Sequence, residues 1–322
     1  MQGSASLSEL TQRAANKMHR REVTRSPLER ELDLESLRWA REQGMVIDDL
    51  SEKRLLGVEC GAFASCSYPS GSREMVRLCA DFVAWLFLFD DRYCEEFDAD
   101  VAHLRSFFRD YESMMRGEGT RPVAPYQAAL FDVRERATTT HGADRRWVDR
   151  FAADLETYFE GCAEEAPFRK ENRFPSVSEY RALRLGTVAA RPLFDLIELG
   201  TGYLDDAPEL SDPAKAEKLA SARVAASLCF AWINDVFSYR KESAAGDPLN
   251  LVAVLKNQYS LSAEEAFEAA VNVFHDELSV LEEQSAQLRE GGVSPVLDRY
   301  LTGLEDWLHG NLAWSSTCER YR

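Results

Sequence analysis

The stretch FVAWLFLFDDRYCEE, residues 82–96, decides how the chain is read. An uncharged apolar run from Phe82 to Phe89 stops at two adjacent carboxylates, Asp90 and Asp91. A third acid, Glu95, follows after Arg92, Tyr93 and Cys94. Neighbouring carboxylates at the mouth of an apolar helix repel each other and resist desolvation. They are tolerated in water at a helix end, or where a cation joins them. The run is too short to cross a bilayer, which takes about 20 apolar residues, so no stable membrane insertion is expected.

Outward from this segment the pattern stays helical. Amphipathic stretches fall near 27–44, 50–66, 71–92, 98–117, 123–140, 144–170, 176–201, 211–243, 247–258, 262–290 and 293–312, and period-2 alternation is almost absent. Ser176 with Glu179, and Ser262 with Glu265, have capping-box spacing. Pro and Gly punctuate at "YPSGS" (68–72), "RFPS" (173–176) and "AAGDP" (244–248). The expectation is one all-α domain over 26–322, with a polar, partly disordered segment at 1–25.

Composition narrows the function. The chain has 322 residues, is 45% hydrophobic, and carries a formal charge of −17. That is ample material for a core, and the charge argues against nucleic acid or an anionic membrane as the main partner. Seven scattered cysteines without a C-x-x-C pair suggest reduced thiols in a cytoplasmic protein.

The second informative motif is "INDVFSYRKE" (233–242). Asn234, Ser238 and Glu242 are spaced four and four, which puts them on one side of a helix at about 5–6 Å intervals. An amide oxygen, a hydroxyl and a carboxylate form a hard oxygen set suited to Mg²⁺ or Mn²⁺. The run "ASLCFAWI" precedes it, so two greasy helices each end in oxygen ligands. The similar clusters "DDLSE" (48–52) and "DDAPE" (205–209) follow no such helix.

Together, "DDRYCE" (90–95), "NDVFSYRKE" (234–242) and "NLAWSSTCERY" (311–321) resemble the three signatures of the microbial class I terpene synthases. Those signatures are an aspartate-rich motif, an N-D-x-x-S-x-x-(K/R)-E metal triad and a C-terminal R-Y pair. The lead-in "SYPSGSREMVRLCADFVAWLFLFDD" and the early "RWAREQGMV" (38–46) are also similar, so the likeness runs from about residue 25 to the end.

The resemblance implies a helical bundle around a central apolar active-site cavity, and three Mg²⁺ ions, with Mn²⁺ as the alternative. Asp90 would ligate two ions with Glu95 nearby, and Asn234, Ser238 and Glu242 would bind the third. Asp91 would pair with an arginine that shifts on closure. Arg184 would sense the diphosphate, with Arg181 and Arg191 as neighbouring alternatives, and Thr187 and Val188 would mark a helix break at the substrate's reacting end. Lys241, Arg320 and Tyr321 would hydrogen-bond the diphosphate.

Helical spacing back from the ligands, and position on the last helix, add Phe87, Phe230 and Trp314 as pocket candidates. The implied reaction is cyclisation of an allylic isoprenyl diphosphate, farnesyl before geranylgeranyl diphosphate, with release of pyrophosphate. The alternatives are an isoprenyl chain-elongating prenyltransferase and an all-α, Mg-dependent nucleotide pyrophosphohydrolase. Monomer and homodimer both remain open.

Overall fold

The computed structural model describes residues 5–18, 23, 26–94, 101–117, 122 and 124–321, and among them fifteen α-helices and no strand. They are α1 (Leu7–Met18), α2 (Glu29–Glu42), α3 (Asp49–Val58), α4 (Cys60–Ser67), α5 (Arg73–Phe89), α6 (Val101–Met115), α7 (Pro125–Thr139) and α8 (Arg145–Glu171). Then come α9 (Val177–Thr187), α10 (Ala190–Asp195), α11 (Glu198–Thr201), α12 (Pro213–Ala245), α13 (Leu251–Tyr259), α14 (Ala263–Arg289) and α15 (Pro295–Thr317). No helix among the described residues is long and apolar enough to cross a membrane.

Side chains fix many of the helix ends. Ser72 accepts the Met75 N–H at the start of α5, and both expected capping boxes form, at Ser176/Glu179 and Ser262/Glu265. Asp212 caps α12 ahead of Pro213, and Gly246, at φ 76°, ends it after 33 residues. The middle of α12 is apolar on every side, because it packs against α14 and α15 and also faces the interior.

Three expectations are corrected. The stretch 50–66 is two helices, broken at Glu59, whose φ is 54°. The Asp33 carboxylate of α2 accepts the Gly61 N–H at 2.5 Å, capping the new start from outside. The stretch 176–201 is three helices: it breaks after Val188, where the resemblance placed a break, with Ala189 at φ 52°, and α10 gives way to α11 after Leu196. And the segment 1–25, expected to be polar and partly disordered, contains α1 among its described residues. Leu10, Ala14 and Met18 bury against the bundle, while Arg13 and Lys17 pair with Glu264 and Glu268 of α14.

Two contacts position the site. Within α5, Trp85 stacks on Phe89 at 4.7 Å and anchors its C-terminal half in a cluster with Phe159 and Tyr111. Where α8 meets α9, Gly161 and Gly186 touch backbone to backbone. A Cβ on Gly161 would lie 2.9 Å from both the Gly186 carbonyl carbon and the Thr187 nitrogen.

Candidate active site

The apolar run of α5 leads straight to the site. After Phe89 the helix widens into a π turn over Asp90–Cys94, a form common at functional positions. The turn presents Asp90 to a cavity of about 130 Å³ whose apolar lining includes Phe63, Leu86, Phe87, Leu193 and Phe230. Its ionisable lining is Asp90, Glu165, Asp235, Glu242 and Asp247 against Arg169 and Arg184. Hydrocarbon-compatible walls and an excess of carboxylates therefore share one space.

Most sequence candidates gather here. Asp90, Phe87, Arg184, Thr187, Val188, Phe230, Asn234 and Glu242 all line the cavity. Ser238 lies buried one turn from each of Asn234 and Glu242. Of the three arginines considered, Arg184 faces the cavity, whereas Arg181 turns to Glu277 at 2.9 Å and Arg191 to Asp154 at 3.7 Å. Glu95 lies outside the described residues.

Arg184 is held as a fork. Its Nη2 donates to Asn234 Oδ1 at 3.0 Å and to Asp235 Oδ1 at 2.8 Å, and its Nη1 donates to Thr187 Oγ1 at 3.1 Å. Burial works most strongly against the guanidinium charge, but Asp235, Tyr180, Glu165 and Glu242 together outweigh it and raise the pKa. Asp235 also accepts the Tyr180 hydroxyl and the Leu251 N–H, both at 2.7 Å, a set of donors suited to a carboxylate.

The C-terminus closes over one edge. Arg320 forms a two-pronged pair with Asp91 at 2.7 and 3.3 Å, and its guanidinium lies 4.7 Å from the Phe87 ring centre. Burial alone would raise the Asp91 carboxyl, but Arg320 holds it below its ordinary value. Tyr321 accepts a hydrogen bond from Asn234 Nδ2 at 2.8 Å. Burial pushes Glu242 up to about 7, with Asp235 adding to the effect.

Two candidates stand back from the cavity. Trp314 is 1% exposed, gives its indole N–H to the Val58 carbonyl at 2.8 Å, and packs on Phe63, Phe87 and Tyr321 behind the lining. Lys241 is exposed on the outer side of α12, within electrostatic reach of Asp91. The two other acid clusters have ordinary duties: Asp48 caps α3, and Asp205 pairs with Arg150.

Sequence reading missed Glu165, Arg169, Asp235, Asp247 and Asn250. Arg169 bridges Glu165 at 2.8 Å and Asp247 at 3.1 Å. Asn250, fully buried, donates to Glu242 Oε2 at 2.8 Å. Asp235 did leave a signal, an acid set among Ile233, Val236 and Phe237. Among the described residues no three His, Cys, Asp or Glu side chains converge to hold a metal by themselves. The donor set is instead split, with Asp90 on α5 and an amide, a hydroxyl and a carboxylate on α12. All are hard oxygens around a carboxylate-rich space, which fits a cation that keeps water or substrate in its shell.

Known proteins resemble this chain. Residues 81–279 match the model of terpene synthase family 2, C-terminal metal binding. The (+)-T-muurolol synthase of Roseiflexus castenholzii, whose name describes cyclisation of (2E,6E)-farnesyl diphosphate, is 32% identical over 90% of this chain and 88% of its own. The 10-epi-cubebol synthase of Sorangium cellulosum is 30% identical over 93% and 95%. The crystal structure of germacradien-4-ol synthase from Streptomyces citricolor superposes with a TM-score of 0.74 at 26% identity, covering 91% and 97%. The apolar cavity, the acids that border it and these similarities lead to one assignment: the chain belongs to the terpene synthases, as a class I enzyme of microbial type.

Proposed function

We propose that the protein cyclises farnesyl diphosphate, using Mg²⁺. The observation that carries this reading is the cavity, where Phe63, Leu86, Phe87 and Phe230 adjoin Asp90, Asn234, Glu242 and Arg184. The farnesyl diphosphate activity named for the Roseiflexus relative supports the choice of substrate.

Asp90 on one side, and Asn234, Ser238 and Glu242 on the other, would hold the ions, three by the family pattern. Bound Mg²⁺ supplies positive charge that stabilises the departing pyrophosphate. Arg184, Lys241, Arg320 and Tyr321 bind the diphosphate oxygens and share that task. The allylic C–O bond breaks, its electron pair leaves with pyrophosphate, and the carbon chain becomes a cation. The apolar walls keep water from quenching it, and the Phe87 and Phe230 faces stabilise the moving charge. Thr187 and Val188, at the break before Ala189, bring backbone dipoles toward the reacting end.

The test is incubation of pure protein with C10, C15 and C20 allylic diphosphates and Mg²⁺, with products read by mass spectrometry. Cyclic C15 products that vanish in excess EDTA are expected. Turnover persisting in EDTA would remove the metal from the reading, and C20 products alone would change the substrate.

A further inference from the structure

We infer that Asn250, in the turn after α12, is the positioning residue that presets Ser238 and Glu242 for their cation. This rests on the ligand roles proposed above for those two side chains.

Asn250 is fully buried, and both ends of its amide are committed. Its Oδ1 accepts the Val252 N–H at 2.9 Å and caps α13, which fixes which way the amide faces. The Nδ2 group then points back at α12. It meets the Asp235 carbonyl oxygen at 2.8 Å, Glu242 Oε2 at 2.8 Å and Ser238 Oγ at 3.4 Å. Two hydrogens satisfy the two short contacts, and the hydroxyl is the weaker third.

The turn that carries Asn250 is itself fastened. Its Asp247 N–H donates to the Glu242 carbonyl at 3.0 Å, and Asp247 Oδ1 accepts the Leu249 N–H at 2.9 Å. From α8, Arg169 pairs with Asp247 Oδ2 at 3.1 Å. Glu242, near the end of a long helix, would otherwise sample several rotamers. Holding one of its oxygens fixes where the other points, so the side chain is ordered before a cation arrives. Partners of this kind typically govern metal affinity by about 10–100-fold.

The test uses Asn250→Ser, because serine can still cap α13 while its hydroxyl is too short to reach Glu242. Mn²⁺ binding is followed by electron paramagnetic resonance in the presence of inorganic pyrophosphate, and KM for Mg²⁺ is measured separately from kcat. N250S should bind Mn²⁺ about tenfold or more weakly, and KM for Mg²⁺ should rise by a similar factor. At saturating Mg²⁺, kcat should stay within about threefold of wild type. In a Glu242→Gln background, which removes the carboxylate acted upon, N250S should cost less than about twofold further.

Equal Mn²⁺ affinity of N250S and wild type overturns the inference and leaves the proposed function standing. Failure of the wild type to bind Mn²⁺ overturns the proposed function and this inference with it. If circular dichroism finds N250S unfolded, Asn250→Asp replaces it, since it keeps size and cap but sets a carboxylate against Glu242. Unchanged Mn²⁺ affinity in N250D would equally overturn the inference.

Discussion

The side-chain amide of Asn234 donates to the Tyr321 hydroxyl at 2.8 Å, across 87 residues of sequence. The C-terminal tyrosine is thus tied to the first member of the α12 oxygen set, and its ring leans on Phe237 and Trp314. Tyr321→Phe keeps those ring contacts and removes the acceptor. It should lower stability by about 0.5–1.5 kcal/mol in urea unfolding, the net worth of one half-buried hydrogen bond. Turnover should fall about tenfold with loss of the diphosphate contact proposed for Tyr321. Unchanged kinetics would make Tyr321 a packing residue.

The Arg320–Asp91 pair is nearly buried, with side chains 11% and 9% exposed. Asp91→Asn leaves a buried guanidinium facing a neutral amide and should cost about 3–5 kcal/mol. Adding Arg320→Gln should recover part of that loss, because no charge is then stranded. A double-mutant cycle in chemical denaturation checks the coupling, and strictly additive losses would contradict it.

Phe87 and Phe230 line the cavity, whereas Trp314 stands behind it. Phe87→Leu and Phe230→Leu should redistribute products, since ring stabilisation of about 0.5–2 kcal/mol is enough to redirect a branching cation. Trp314→Ala should instead cost about 3–5 kcal/mol of stability. Product profiles and melting curves on the three variants test the division. Early melting of both Phe variants with an unchanged product profile would reassign those rings to the core.

Asp33 carries a pH dependence. Burial pushes its carboxyl up to about 6, and Glu59 and Glu29 add repulsion against the pull of the Gly61 N–H. The folded state therefore binds this proton more tightly than the unfolded chain, whose aspartate pKa is about 3.9. Its stabilising contribution is complete below about pH 4 and is lost as pH rises through about 6. Between those values the wild type should lose stability relative to Asp33→Asn, which does not titrate. Parallel melting curves for the two proteins across that window would contradict the assignment.

What the sequence made legible was whatever helical period could carry. The run ending at Asp90 and the four-and-four spacing of Asn234, Ser238 and Glu242 are local patterns, and both reach the cavity. Arg169, Asp247 and Asn250 were illegible because their meaning is tertiary. Asp247 gains its role only when α8 delivers Arg169 to it, 78 residues away in sequence. The break at Glu59 was hidden for a different reason, and the one beside Ala189 was expected only from the resemblance, which placed it at Thr187 and Val188. Neither Glu59 nor Ala189 is Gly or Pro, so their left-handed backbone is imposed by packing and not announced by residue type. Helix α1 escaped notice because half of its buried face is alanine, which reads as weakly apolar, leaving only Leu10 and Met18 as strong signals.

The contact of Gly161 with Gly186 gives α9 a datum outside itself. Thr187 and Val188 are held at a height measured from the α8 backbone, with no side chain between to act as a cushion. One methyl group on Gly161 would press on the Thr187 amide, and one on Gly186 on the α8 backbone at Gly161 and Thr157; either should shift α9 and, with it, the cavity boundary at Val188. Such a change adds nothing to the cavity lining, yet it alters the space in which the cation folds. Product identity should therefore respond to a spacer between two backbones, where a survey of cavity side chains would never find it.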